Sequence, residues 1–374
     1  MVSHGCIEVL DGTAVGRNLL ACLVLETATV HGAEHPPRVV VSIPIEVQND
    51  WTYDSDDASN KHDQLFTKIE PEATVHFMRG LTLVGHAVLE PVRDPEAGED
   101  RFFEDEGIFV EDLYLDYAFA RHGLRGGKFT PAFGIGWDIT PGIYGTDFAE
   151  AGYEFAERIG IAGRAGFEIE SAGAYTLTAH AFFLDTTFLS QSLGRGRGAT
   201  DRGDGGVSNT EDLSSYALTL DGEKVAGIDG LGARISYVRQ AKGVDNEKDE
   251  KGISAALWHE LKLGEDLTLS PIVEYVHFDD AEGVDGQDRD FLTVAGQLGW
   301  RSWNLTLASP GGTRKPRVWP KSTIISSRSR PATRSNSGSI STSAGKSSRK
   351  AVSKHSALAC WWLIPRAIDD DAVD

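Results

Sequence analysis

Residues 67–77 read TKIEPEATVHF, and they alternate apolar and polar side chains along almost their whole length. A β-strand points successive side chains to opposite faces. Ile69 and Phe77 therefore share an apolar face, while Lys68 and Glu70 lie on the opposite, charged face. The pattern predicts a strand that has an apolar environment on one side and water on the other.

Strands of the same kind recur on both sides of this stretch, and we expect about thirteen of them. The expected segments are 43–53, 67–77, 81–90, 112–119, 128–133, 158–169, 175–183, 215–221, 231–237, 253–262, 267–275, 292–300 and a last one that begins at 303. Short turns such as Arg79-Gly80 join some of them, and long polar loops join the others. The long loops are expected at 54–64, 92–107, 135–157, 187–213, 242–251 and 279–290.

This alternation of turns and loops predicts an all-β fold, an antiparallel transmembrane β-barrel with an apolar outer face and a wet interior. The patterned region contains no apolar stretch long enough for a transmembrane helix. A single strand does not distinguish this fold from a soluble β-sandwich or a lipocalin-like barrel, which turn the apolar face inward. Charged residues on the polar faces favour the wet interior, because so many strands enclose more space than side chains fill.

The charge of the chain is strongly negative and unevenly spread. The 36 Lys and Arg residues and 56 Asp and Glu residues give a net charge of −20. Residues 1–308 carry a net charge of −28, and residues 309–374 carry +8. The acidic surplus argues against nucleic acid as a partner, since phosphate binding requires basic surface.

The composition divides the chain into three parts: 1–37, the barrel region 38–308, and the tail 309–374. In the first part, Arg17 precedes an apolar run at 18–25, which indicates an export signal; an irregular N-terminal arm is the alternative. The tail has no Asp or Glu at 309–368 and is rich in Ser, Arg, Lys and Pro. We interpret it as a frameshifted reading of missing strands, and the alternative is a disordered basic tail.

Three neighbouring segments carry a resemblance to a known family. They are GGKFTPAF at 126–133, GWDITPGIYGTDFAE at 136–150 and YEFAERIG at 153–160. Together they resemble Gram-negative outer-membrane porins of the alphaproteobacterial kind, and the likeness covers roughly residues 40–308. In those porins the third long loop, which these segments occupy, folds into the barrel and narrows it.

The resemblance implies a barrel of about sixteen strands, usually trimeric, that passes small hydrophilic solutes and ions passively. It implies location in the outer membrane of a Gram-negative bacterium. The expected partners are outer-membrane lipid, the diffusing solutes and ions, and two further copies of the chain in a homotrimer if the intact frame is made.

The charged residues of the third loop and of the neighbouring strands form the candidate site. The loop supplies five acids: Asp138, Asp147, Glu150, Glu154 and Glu157. The inward positions of the strands supply seven bases: Lys68, Lys128, Arg158, Arg164, Arg234, Lys262 and Arg301. Acids that face bases across a narrow aqueous gap would set a transverse field, and the surplus of acids predicts a mild preference for cations. The alternative is that each of these residues only keeps the channel wet.

The sequence gives no sign of catalysis or of a bound group. No G-x-S-x-G or comparable nucleophile motif occurs, and His76, His86 and His180 lack the close spacing of metal ligands. We therefore expect no enzyme activity, no cofactor and no metal. Two other kinds of outer-membrane barrel remain as alternatives, a lipase-like enzyme and a structural or adhesin protein.

Overall fold

The structure is a computed structural model that describes residues 3–12, 16–25, 30–31, 36–54, 61–93, 95–96, 98–142, 145–301 and 303–316. Its strands are β1 Ser3–Gly12, β2 Gly16–Leu25, β3 Val30–His31, β4 Arg38–Ser42, β5 Ile45–Asp54, β6 His62–Ile69, β7 Glu72–Met78, β8 Leu81–Pro91, β9 Arg101–Phe102, β10 Glu106–Phe119, β11 His122–Phe129, β12 Arg158–Ile169, β13 Gly173–Leu184, β14 Ser192–Gly194, β15 Ser215–Glu223, β16 Leu231–Gln240, β17 Glu250–His259, β18 Leu261–Lys262, β19 Leu267–Asp279, β20 Gln287–Trp300 and β21 Trp303–Pro316. The helices are α1 Gly136–Ile139 and α2 Asp147–Tyr153. None of the described helices is long and apolar enough to cross a membrane.

All strands belong to one sheet, and its pairing is antiparallel except where the short β9 lies parallel to β6. β4 and β5 together pair with β7 and β6 in a single register, from Arg38 opposite His76 to Thr52 opposite His62. From there each long strand pairs with the next along the chain, through to β21. Within the described residues, no pairing joins β1 to β21.

The strands expected from alternation are confirmed in order, although 67–77 is divided between β6 and β7 and 253–262 between β17 and β18. A strand was expected at 128–133, but β11 spans 122–129 and the chain leaves the sheet after Phe129. The expectation was wrong because the sequence HGLRGGKF does not alternate. Its backbone nevertheless pairs with both neighbours, so that Lys128 faces Leu113 on β10 and Ile159 on β12. Backbone pairing depends little on side-chain pattern.

Paired strands extend past both expected boundaries of the barrel region, and the division of the chain at these boundaries stays a prediction. Residues 3–25 form the hairpin β1–β2, and β2 pairs with β5, where a signal or an irregular arm was expected. At the other end β21 runs past residue 308 to Pro316, because its backbone continues the ladder with β20 after the side-chain alternation has ended. Residues 317–374 lie outside the described residues. The frameshift therefore stays a prediction, which the gene sequence tests.

The two faces of the sheet differ as the alternation predicted. On β16 the Ile235 side chain is 62% exposed, while its neighbour Ser236 is buried against the interior. Large apolar side chains are exposed in the same way along the other strands, including Leu115, Ile161, Leu177, Leu218, Ile253, Val273 and Leu292. We call this exposed apolar surface the outer face, and the opposite surface the inner face.

The segment between β11 and β12, residues 130–157, lies on the inner face, and we call it the inner loop. Its Phe133 and Phe155 rings stack with centroids 5.2 Å apart, and Phe133 lies 5.4 Å from Phe278 of β19. Tyr153 lies 5.4 Å from Phe291 of β20. The core of the protein is therefore formed between the inner loop and the inner faces of the strands from β13 to β20, and not within the sheet itself.

Candidate functional site

A single carboxylate on the wall holds both helical parts of the inner loop. Glu274 of β19 is 1% exposed. Its carboxylate accepts hydrogen bonds from the backbone N–H of Ile135 at 2.7 Å and of Gly136 at 2.6 Å, and from the Tyr153 hydroxyl at 2.5 Å. Three donors from two separate stretches of the loop thus converge on one buried side chain. Such charge-assisted bonds are stronger than neutral ones.

Two glycines permit this close approach. A Cβ atom at Gly136 would lie 2.5 Å from both Glu274 Oε2 and the Tyr153 hydroxyl oxygen. Gly134 has a φ of 66°, a left-handed conformation that glycine adopts without strain, and a Cβ there would lie 2.7 Å from the Tyr153 ring. The sequence GIG at 134–136 is therefore required for the loop to reach the wall.

The neighbouring strands each add one polar contact to the same stretch of the loop. Thr219 of β15 donates to the carbonyl of Ala132, and Ser254 of β17 accepts from the N–H of Gly134 at 3.2 Å. Arg234 of β16 donates to the carbonyl of Gly134 at 2.8 Å. Buried backbone groups of the loop are thereby paired, as burial requires. Adjacent strands of one wall hold the loop across the interior.

Tyr153 is protonated at neutral pH in this site. Its burial, and then the neighbouring Glu274 carboxylate, raise the pKa of the Tyr153 hydroxyl above its ordinary value. Both causes oppose the phenolate, because burial and a nearby negative charge each disfavour a second negative charge. The hydroxyl therefore stays a donor to Glu274.

The other end of the inner loop is held by a cluster of four charged side chains. Lys128 Nζ lies 2.8 Å from Glu157 Oε2 and 2.7 Å from Asp185 Oδ2. Arg197 donates to both carboxylate oxygens of Glu157, with Nη1 at 2.7 Å from Oε1. Its guanidinium carbon also lies 3.9 Å from the centroid of the Phe109 ring. The cluster joins β11, the inner loop and the long loop between β13 and β15.

The five predicted loop acids occupy different environments. Asp138 is exposed, and Glu150 and Glu154 are half-buried. Glu150 lies within electrostatic range of Lys68 on β6, and Glu157 is the acid in the ion-pair cluster. The backbone of Asp147 begins α2, but its side chain lies outside the described residues. Residues 130–157 contain no Lys or Arg, so the loop presents only negative side-chain charge.

Three of the seven predicted wall bases contact the inner loop: Lys128 and Arg234 as above, and Arg158, which donates to the Ala156 carbonyl at 2.7 Å. Lys68 pairs with Glu70 on its own wall, at 3.1 Å. Arg164 forms two hydrogen bonds to Asp116, at 2.7 and 2.8 Å, and so binds the wall instead of the loop.

Lys262 and Arg301 pair with acids at the ends of strands and not with the inner loop. Lys262 is 79% exposed and nearest to Glu260, at 3.8 Å, because the strand is interrupted at Glu260. Arg301 is 66% exposed in the turn after β20, where its Nε lies 3.0 Å from Asp266. Lys262 lies in β18 opposite Thr268 and keeps its inward parity, whereas Arg301 follows the end of β20.

Sequence reasoning missed an acidic wall that Glu70, directly after β6, forms with Glu90 of β8 and with Glu111 and Asp112 of β10. Their grouping follows from the register and from a β-bulge between Val110 and Asp112, which adds Glu111 to the face. His86 Nδ1 lies 3.4 Å from Glu111 Oε2, and Lys68 is within electrostatic range of both Glu70 and Glu90. The inward parity of Glu70, Glu90 and Asp112 was readable from the sequence; the bulge was not.

The apolar residues of the inner face that pack against the inner loop were also missed. Phe182, Phe278 and Phe291 occupy inward positions where polar residues were expected, and they receive the aromatic side chains of the inner loop. Paired aromatics such as Phe182-Phe183 break the alternation and are the signal that could have located them. Within the described residues, no group of three or more His, Cys, Asp or Glu side chains could hold a metal ion.

The comparisons with known proteins add little. No family model matches the sequence, and no curated protein matches it. Among solved structures, the chain is similar to one described as the crystal structure of Pseudomonas aeruginosa OccD3 (OpdP), with a TM-score of 0.38 and 13% identity. The match covers 81% of this chain and 59% of that one. At this TM-score the architecture rests on the strand pairings described above.

Proposed function

We propose that the protein is an outer-membrane channel for the passive diffusion of small hydrophilic solutes and ions. The observation that supports this proposal is the difference in polarity between the two faces of the sheet. Large apolar side chains are exposed on the outer face, while ionised and hydrogen-bonding side chains lie on the inner face. An exposed apolar surface of this extent is unsuited to water and suited to lipid.

The inner loop supplies the narrowing that a selective channel needs. It is held against the strands from β15 to β19, so the open part of the interior lies between the loop and the acidic wall of β6, β8 and β10. Negative side chains border this passage on both sides. The acidic wall also contains the basic residues Lys68 and His86. We therefore propose that the channel favours cations, since a negative lining concentrates cations and repels anions.

Reconstitution separates the two parts of the proposal. The full chain is refolded into lipid vesicles, washed with carbonate and floated on a density gradient, and floated vesicles are then fused with a planar bilayer. The proposal predicts that the protein floats with lipid and produces stepwise currents. Protein that stays at the bottom of the gradient contradicts membrane insertion, and floated protein without stepwise current contradicts a channel.

The selectivity is tested by the reversal potential under a KCl gradient. We expect the wild-type potential to have the sign of K⁺ preference. Glu150→Gln removes one loop charge near Lys68 and should move the potential toward zero. The matched control Glu265→Gln removes an exposed acid from the turn between β18 and β19 and should leave it unchanged. A wild-type potential of the opposite sign contradicts the cation preference.

We also propose that the protein assembles as a homotrimer in outer-membrane lipid. The support is the resemblance of residues 126–160 to porins, together with an outer face apolar enough for lipid and subunit contact. Light scattering of the refolded protein, corrected for bound detergent, tests the assembly. A mass of three chains is expected, and a mass of one chain contradicts the trimer.

A further inference from the structure

A gap in the wall opens where the chain turns inward. β10 begins at Glu106, but in the described part of the chain its pairing with β11 begins only at Leu113, which faces Lys128. β11 ends one residue later, and the chain continues into the inner loop. One edge of β10, over residues 106–112, is therefore left without β11. Unpaired backbone groups in a membrane-spanning wall are costly.

A segment of the long loop between β13 and β15 closes this gap. β14 pairs antiparallel with β10, with Ile108 opposite Leu193 and Phe109 opposite Ser192. The N–H of Arg195 then donates to the Glu106 carbonyl at 3.1 Å. We call residues 185–200 the wall patch. It takes the position in the sheet that β11 vacates.

The ion-pair cluster lies at the junction of the wall patch and the inner loop. We call its four residues, Lys128, Glu157, Asp185 and Arg197, the latch. The Lys128 side chain is 0% exposed and also donates to the Leu189 carbonyl at 2.9 Å. The latch has two positive and two negative groups, so each buried charge is compensated.

We propose that the latch couples the wall patch to the inner loop and that Lys128 is its positioning residue, setting the width and steadiness of the passage. This inference rests on the proposed channel function. The geometry supports it because Lys128 contacts the first residue of the wall patch and the last residue of the inner loop at once. Without Lys128, the Asp185 carboxylate and the Leu189 carbonyl lose their cation and only Arg197 offsets Glu157, so the wall patch should loosen from the wall.

Limited proteolysis tests the coupling without relying on conduction. Trypsin is applied to the refolded full chain in detergent micelles, and fragments ending at Arg195 or Arg197 are followed over time. Lys128→Met should be cut there about tenfold faster or more, since cleavage follows the population of the open form. The control Lys248→Met removes an exposed lysine from another long loop and should be cut at the wild-type rate. Equal rates for Lys128→Met and wild type would overturn the latch.

A variant with a disulfide between β10 and β14 distinguishes loss of the latch from general misfolding of Lys128→Met. Ile108→Cys and Leu193→Cys are introduced after Cys6, Cys22 and Cys360 are replaced by Ser; the two new cysteines face each other in the ladder, within reach of a disulfide. Oxidation should restore protection from trypsin to Lys128→Met, and reduction should remove it. If the disulfide forms in Lys128→Met and the site stays open to trypsin, the latch is not what holds the wall patch.

Single-channel recording supplies the functional readout. In Lys128→Met the open current should be larger or noisier than in wild type, and the disulfide between β10 and β14 should return it to the wild-type level. A variant that is cut faster but conducts like wild type would contradict the effect of the latch on the passage. If the wild type shows no current, the channel proposal fails, while the trypsin comparison still decides whether the latch holds the two segments together.

Discussion

At the scale of the residue, Glu274 determines where the inner loop lies. It is one buried carboxylate that pairs with two backbone N–H groups and one hydroxyl, from parts of the loop that are separated by α1 and α2. A hydroxyl or an amide at this position has fewer acceptor sites than a carboxylate. The loop therefore requires a side chain with several acceptor sites at position 274.

Glu274→Ala should release the inner loop. It leaves two backbone N–H groups and the Tyr153 hydroxyl without their acceptor, and each buried unsatisfied group costs about 1–3 kcal/mol. We expect a lower free energy of unfolding in urea titrations. The control Glu260→Ala removes an exposed acid at the interruption between β17 and β18 and should unfold like wild type. Equal unfolding of Glu274→Ala and wild type would show that the loop is held elsewhere.

Gly136→Ala tests the close approach of the loop to the wall. The added methyl would lie 2.5 Å from Glu274 Oε2, so the loop must shift, at a cost of about 1–3 kcal/mol for overpacking. Gly163→Ala on β12 is the matched control, because its Cβ would lie 3.7 Å from Leu124, an ordinary contact. The two variants are compared by thermal unfolding, and equal midpoints would contradict the packing described here.

The Tyr153 hydroxyl gives a prediction for alkaline pH. Its raised pKa means that the folded protein keeps a proton that the unfolded chain loses near pH 10. The contribution of this group is complete below about pH 10 and declines as the pH rises further. The free energy of unfolding should therefore fall more steeply with pH above 10 in wild type than in Tyr153→Phe. Parallel curves would contradict the raised pKa.

At the scale of the element, each strand separates two environments, and adjacent residues should respond differently to the same change. Leu177 faces outward on β13, while Thr176 faces inward, opposite Asp221 of β15. Leu177→Lys should cost about 2–4 kcal/mol in vesicles, as expected for a lysine near the middle of the lipid face. Thr176→Lys should cost much less, since residue 176 lies on the inner face opposite an acid. Urea titration in vesicles measures the free energy of unfolding of both variants. Equal losses would contradict the assignment of the two residues to opposite faces.

The strands could be predicted from the sequence because their signal is local. In β17 and β19 each residue alternates between outer and inner face, so burial follows directly from position. β11 could not be predicted in this way, since its glycine-rich sequence HGLRGGKF carries no alternation and its pairing is fixed by its neighbours. The extension of β21 beyond residue 308 has the same cause.

The sequence predicted the charge of the candidate site better than it predicted which residues contact each other there. The acidic character of the inner loop was readable, and so was the inward position of Arg234. Lys128 was also expected to face inward, but the register places it on the face of Leu113 and Ile159, where it is buried by its contacts with Glu157, Asp185 and Leu189. The contacts with Arg197 and Asp185 were not readable, because they depend on how a distant loop folds back on β10. The anchoring role of Glu274 was equally hidden, since nothing in its local sequence distinguishes it from other inward polar residues.

At the scale of the whole molecule, one sheet surrounds one inward-folded loop, and the loop is held at both ends by buried charge. Glu274 and Arg234 hold it near its start, and Lys128 and Arg197 hold it at its end. Glu150 and Glu157 of the loop lie within electrostatic range of Lys68 and Glu111 beside the acidic wall. The function proposed here depends on this division, with lipid on the outer face and water on the inner face.

Spin labels on single cysteines test that division most directly. Labels are placed at Ile235 and Leu292 on the outer face, and at Lys68 and Thr176 on the inner face, in the chain refolded in vesicles. From this division of the two faces, we expect relaxation of the outer labels to respond to oxygen, which dissolves in lipid, and relaxation of the inner labels to respond to a water-soluble nickel complex. Outer labels that respond to nickel, with inner labels that respond to oxygen, would contradict it.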